Sequence, residues 1–226
     1  MSSQPAADAL TLTQLPLFPL QTVLFPGGLL PLRIFEVRYL DMIGRCHKAG
    51  APFGVVCLSE GAEVRRRDPG AAPSGDGFAR EVFHACGTLA HIDHLERPQP
   101  GLMLIRCRGL QRFEITRRQQ LPHGLWVADV TLAAPEPVVT VPEHLVSARN
   151  ALQRLLQTLQ TQDDDALADL PLQPPYQWDD SGWVANRWAE LLPAPAELKQ
   201  RLMSLDNPLL RLELVSDLLE RLGLDV

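Results

Sequence analysis

Lysine is almost missing from this chain. Only Lys48 and Lys199 carry an ammonium group, while 19 of the 21 basic residues are arginine. Neither lysine follows a G-x-x-x-x-G-K-[ST] run, so the phosphate cradle of a P-loop ATPase is absent. No G-x-S-x-G elbow and no H-E-x-x-H metal motif occurs, which removes two common hydrolase signatures. Long hydrophobic runs are lacking too, and the longest falls far short of a membrane span. The first residues, MSSQPAADALTLTQ, have neither the basic start nor the apolar middle of a secretion signal, so a cytoplasmic location is expected. Cysteine is sparse. Cys46, Cys57, Cys86 and Cys107 form no C-x-x-C pair and read as small buried hydrophobes with free thiols.

What is present is an ordinary soluble composition with an uneven charge. Hydrophobic residues make up 46% of the chain and charged residues 21%. Residues 1–133 carry a net +2 and residues 134–226 a net −8. That asymmetry predicts two compositional units. An acidic second half repels nucleic acid, and a first half so weakly basic makes a poor phosphate track. Arginine rather than lysine suits fixed, hydrogen-bonded ion pairs.

Periodicity divides the chain in the same place. Residues 1–14 are polar and without period, and predict a loose arm. Residues 15–133 predict a β-rich unit. Pro16, Pro19, Pro26 and Pro31 cut its start into short strands or edges joined by turns, and Leu30, Leu32 and Ile34 then alternate. The period changes at Phe35. Phe35, Tyr39, Met42, Ile43 and Cys46 share one face of a helix that stops near Ala49-Gly50. Strands are expected at 53–58, 82–92, 102–108, 111–117 and 124–132, with a hairpin tip at Gly109-Leu110. Residues 59–77 predict a long loop; its Arg65-Arg66-Arg67 reads as a solvated face, since no aromatic interleaves. Residues 134–143 predict a proline-studded linker. Residues 144–226 predict a helical domain with four amphipathic stripes. The last is Leu210, Leu214, Val215, Leu218 and Leu222, capped by Asn207 and opened by Pro208. The fold class is therefore α+β: a β-rich front unit with one main helix, followed by a four-helix-type bundle.

Candidate chemistry is thin. His84, Cys86, His91 and His94 hold metal-ligating atoms, but a strand puts His84 and Cys86 on one face and His91 on the other. Strand histidines outweigh a metal site, and no cofactor is expected. Cys46 falls on an apolar helix face and reads as core rather than nucleophile. Trp178, Trp183 and Trp188 suit core packing better than base stacking. The stretch PLRIFEVRYLDMI places Arg33, Glu36 and Arg38 in an apolar run. Glu36, in the first helical turn, can accept orphan N–H bonds, and either arginine can pair with it. These charges serve either a binding site or a rigid strand-to-helix corner.

The long segment LPLFPLQTVLFPGGLLPLRIFEVRYLDMI resembles the start of the Lon substrate-binding domain, the N-terminal domain of Lon-type ATP-dependent proteases. It is more similar to free-standing bacterial Lon-domain proteins, whose pattern carries L-P-L-F-P-L, V-L-F-P-G and L-R-I-F-E-x-R-Y. The likeness continues in FGVVCL, in CGTLAHIDHLERPQPGLMLIRCRGLQRFEI and in LKQRLMSLDNPLLRLELVSDLLERL, and so spans most of residues 15–222. It implies a PUA-like pseudo-barrel followed by helices. It also implies recognition of unfolded or extended polypeptide, or of a protein partner, as an adaptor or holdase. The ATPase and Ser-Lys peptidase of full-length Lon have no counterpart here, so a non-enzymatic role is expected. Arg33, Phe35, Glu36, Arg38 and Tyr39 match the family signature. An RNA-binding PUA-like module is the alternative, followed by a hydrolase or metalloenzyme with a site gathered from distant residues.

Overall fold

The computed structural model describes residues 10–63, 81–162, 170 and 172–224. Six strands come first: β1 (Thr11–Leu20), β2 (Leu29–Ile34), β3 (Phe53–Glu60), β4 (Val82–Gln99), β5 (Leu102–Gln120) and β6 (Trp126–Leu132). Helix α1 (Val37–Ala49) lies between β2 and β3. Four further helices follow the strands: α2 (Val146–Gln162), α3 (Ser181–Leu191), α4 (Ala196–Ser204) and α5 (Pro208–Arg221). The chain is thus α+β, with five α-helices among the described residues. The sheet order is β2-β5-β4-β3-β1-β6, and β5 also pairs with β6. The sheet therefore closes on itself through β5. That strand holds β2 along its first half and β6 along its second.

Proline placement explains β1. Of the expected short strands or edges, the edges hold and the short strands do not: Thr11–Leu20 is one strand, and it begins inside the expected arm. Its ladders are short instead. Thr11 to Leu17 pair with β6, whereas Leu17 to Leu20 pair with β3. Pro16 and Pro19 each sit where β1 has a neighbour on one side only, so a missing N–H can face the side without a ladder.

Gly109 marks no hairpin tip. Strand β5 runs straight through it, and the turns that flank β5 fall at Pro100-Gly101 and at residues 121–125. The glycine is required by a close approach. A methyl group at 109 would run into the carbonyl of Phe25. Across this contact Gly27 N–H donates to Gly109 O (2.8 Å), and Gly109 N–H donates to Gly28 O (2.9 Å).

One apolar cluster lies between α1 and the sheet, and includes Phe18, Ile34, Tyr39, Met42, Ile43 and Cys107. A second fills the closed sheet around Leu17, Phe113 and Val130. The largest joins the C-terminal helices to Val23, Phe25 and Cys57 of the β half. In α5 the buried side chains include Arg211, Leu212, Val215, Ser216 and Leu219, while Leu210, Leu214 and Leu222 are exposed. The expected stripe was off by part of a turn. Leucine lies almost all round this helix, so apolar spacing alone does not choose the inward face. Its start is as expected: Asn207 accepts from the N–H groups of Leu209 and Leu210, and Pro208 opens the helix.

Candidate functional site

The turn from β2 into α1 is fastened by Arg38. Its guanidinium donates to Glu36 Oε2 (3.1 Å), to Glu81 Oε1 (3.1 Å) and to the Gly124 carbonyl (2.7 Å). It also lies 4.5 Å over the Tyr39 ring. Burial alone would lower its pKa, yet the charges of Tyr39, Glu81 and Glu36 hold it above the usual arginine value. Glu81 in turn accepts from Trp126 Nε1 (2.6 Å). One arginine thus ties α1 to the entry of β4 and to the turn before β6. Tyr39 is 2% exposed and stacks on Phe18 with ring centroids 4.0 Å apart.

The signature residues consequently divide in two. Arg38 and Tyr39 are buried and hold the corner. Glu36 occupies the N-cap position, but its side chain makes no cap bond; it pairs with Arg38 instead. The expectation that it satisfies first-turn N–H groups is overturned, because the carboxylate is taken up by the guanidinium two residues on. Phe35 is not on the buried helix face either. It precedes the helix, which starts at Val37, and is 55% exposed beside Val37 at 74%. Arg33 is exposed on β2, opposite Leu104 of β5.

A groove of about 330 Å³ opens along this turn. Phe18 and Leu20 of β1 form one wall; Pro31, Leu32, Ile34 and Phe35 form the other. Tyr39 and Glu63 also border it. Among the described residues, the β1 wall is the half of β1 that lacks a β6 neighbour, and β2 pairs on its other side with β5 only. Two incompletely paired strands therefore face an apolar gap. The β1 wall was missed as a site in the sequence, although LPLFPL carries its residues. Nothing local marked Glu81 as the partner of Arg38.

The other candidates lie elsewhere. His91 contacts Asp93 (3.1 Å) and His94 contacts Glu96 (2.9 Å), each two residues along β4. No cluster of three or more metal-ligating side chains occurs among the described residues. Cys46, Cys57 and Cys107 are buried. Burial pushes the Cys107 thiol up to about 12 and that of Cys86 to about 11, which disfavours the reactive thiolate. Trp183 and Trp188 are buried, and Trp188 Nε1 donates to Ala148 O (2.9 Å). Trp178 packs edge-on to Trp183 at 5.0 Å. The Arg65–Arg67 run lies outside the described residues. No described helix is long and apolar enough to cross a membrane.

Comparison with known proteins agrees with this architecture. No curated protein sequence matches the chain. Among solved structures, a Lon N-terminal domain protein from Xanthomonas campestris is similar, with 30% identity and a TM-score of 0.68. The match covers 91% of this chain and 98% of that one. The N-terminal domain of Lon protease from Mycobacterium avium complex shares the fold at 18% identity and a TM-score of 0.54, covering 90% and 96%. The model of the ATP-dependent protease La (LON) substrate-binding domain matches residues 14–221. With a match over nearly its whole length, the chain belongs to the Lon substrate-binding domain family.

Proposed function

We propose that this protein is a non-catalytic polypeptide-binding module that holds unfolded or extended segments as an adaptor or holdase. The carrying observation is the groove between β1 and β2, with Phe35 exposed at its mouth. A phenyl group held in water at the edge of an apolar gap is stabilised when another chain covers it. The gap takes a leucine or aromatic side chain, and its walls are strands that, among the described residues, lack neighbours on the facing side. Membership of a substrate-binding family supports the same reading.

The test is direct. Reduced, carboxymethylated α-lactalbumin is a permanently unfolded probe; its native form is the control. The protein binds the unfolded form and not the native one, and Phe35→Ala weakens that binding. Failure to bind the unfolded chain across a range of salt concentrations overturns the reading.

A further inference from the structure

The β2 edge has a definite hydrogen-bonding phase, which follows from the contact around Gly109. Gly28 O accepts from Gly109 N–H, so the carbonyl of residue 28 faces β5, while its N–H turns back to Phe25 O (3.0 Å). In an antiparallel ladder the inward-facing residues recur every second position. The register pairs Leu30 with Cys107, Leu32 with Ile105 and Ile34 with Met103. Leu30, Leu32 and Ile34 therefore bond to β5. Leu29, Pro31 and Arg33 turn their backbone groups away from it. Pro31 agrees with this phase, since its missing N–H costs the β5 ladder nothing.

The outward edge thus offers the N–H and C=O of Leu29, the C=O of Pro31 and the N–H and C=O of Arg33. Among the described residues β2 pairs only with β5. On the inner side the edge borders the apolar groove with Phe18 and Leu20. Its other side continues into an open face of about 460 Å³ formed by Pro31, Arg33, His94, Glu96, Leu104 and Arg106. Glu96, a carboxylate of that face, is already held by His94 (2.9 Å), and the exposed Arg33 guanidinium stands beside the edge.

We infer that an extended polypeptide with apolar and acidic residues in alternation docks by strand addition to β2, bonding at Leu29 and Arg33 and skipping the N–H absent at Pro31. Its apolar side chains enter the groove and its acidic ones lie toward Arg33. Main-chain bonds make such binding tolerant of sequence, and the two faces set the preferred alternation. This mode rests on the polypeptide-binding reading above and specifies how that binding occurs.

The probe is a fluorescein-labelled, capped eight-residue peptide alternating leucine and glutamate. It binds, and replacing its glutamates by lysine abolishes binding. Arg33→Ala removes the charge alone, whereas Arg33→Pro also removes the outward N–H. The second variant binds the peptide about fivefold more weakly than the first, as expected for one lost hydrogen bond. Both unfold at the same temperature, because that N–H makes no bond to β5. N-methylating the peptide one residue at a time gives a strict period-two pattern, which decides the matter even where Arg33→Pro fails to fold. Equal binding by both variants with a flat N-methyl scan overturns strand addition. So does failure to bind the peptide by protein that still binds carboxymethylated α-lactalbumin, and that result leaves the proposed function standing. Loss of both overturns both. Doubling of the protein's mass in light scattering, reversed by Arg33→Pro, assigns the edge to a second copy of this chain and also overturns the inference.

Discussion

Arg38 shows how a charged residue in an apolar run can be structural. Its partner Glu81 has a side chain only 5% exposed, and Arg38 itself is equally enclosed. Arg38→Ala leaves that carboxylate buried with only the Trp126 N–H, and costs about 3 kcal/mol in urea unfolding. Glu36→Ala removes a partner from the more open side and costs about 1 kcal/mol. Phe35→Ala changes stability by under about 0.5 kcal/mol, since a half-exposed ring holds little of the core. A Phe35→Ala loss as large as that of Arg38→Ala would make the ring a structural element and remove it from the binding surface. Glu190 presents a different case. Its carboxylate accepts from Arg187 Nε (2.7 Å) and Nη2 (3.0 Å), and Lys199 bonds to its backbone carbonyl. Even so, burial pushes its pKa from 4.5 up to about 7, against the pull of Arg187 and Lys199. Between those two values the folded state holds a proton that the unfolded chain has released. Stability from this group is therefore fully present below about pH 4.5 and is lost as pH rises toward 7. In Glu190→Gln that component disappears, so the variant gains on the wild type across this window. Parallel pH profiles for the two proteins would show that the carboxylate keeps its ordinary pKa.

The elements that were legible were those whose signals are local. Helix α1 announces itself by its period and ends at Gly50, and α5 by Asn207 followed by Pro208. Asp180 caps α3 by accepting from Gly182 N–H (3.0 Å). What stayed hidden depended on contacts distant in sequence. Gly109 looked like a turn because glycine often makes one. Its actual cause is the Phe25 carbonyl, far earlier in the chain. The prolines of β1 looked like interruptions, because nothing local reveals that one strand changes partners halfway. The groove walls come from β1 and β2, whose pairing partners no periodicity discloses. These close approaches make their own prediction. At Gly109 a methyl group meets backbone, which cannot swing aside, so Gly109→Ala costs about 3 kcal/mol or prevents folding. At Gly28 the obstacle is the Glu190 carboxyl, a side chain already held by Arg187. Gly28→Ala therefore destabilises as well, and pairing it with Glu190→Ala restores part of the loss. A double variant no more stable than the single one, by urea midpoint, would rule out that collision.

At the scale of the whole molecule, composition and charge predict two units, yet much of the polar wiring runs between them. Arg112 of β5 donates to Met203 O (3.1 Å) and to Asp206 (2.8 Å). Arg187 of α3 donates to Pro26 O (2.9 Å), and Gln200 of α4 donates to Cys86 O (2.9 Å). Arg211 of α5 reaches Glu136 in the connecting segment (2.7 Å) and also bonds to the Leu205 carbonyl. Val23, Phe25 and Cys57 share a core with the helices. Pulling the helices away exposes those three side chains and leaves the Arg112 guanidinium without two partners. Each effect costs kcal/mol that a β half alone has no means to recover. The two halves are therefore expected to unfold together. The chain carries a reporter in each half. Cys46, Cys57 and Cys107 are buried in the β half, while Trp178, Trp183 and Trp188, three of the four tryptophans, belong to the helical half. Thiols so protected react with Ellman's reagent only once the chain opens. With the half-buried Cys86 replaced by serine, thiol labelling and tryptophan fluorescence then share one midpoint in urea. Labelling that begins while the fluorescence is still native would mean that the β half opens on its own, and that the shared core does not couple the two.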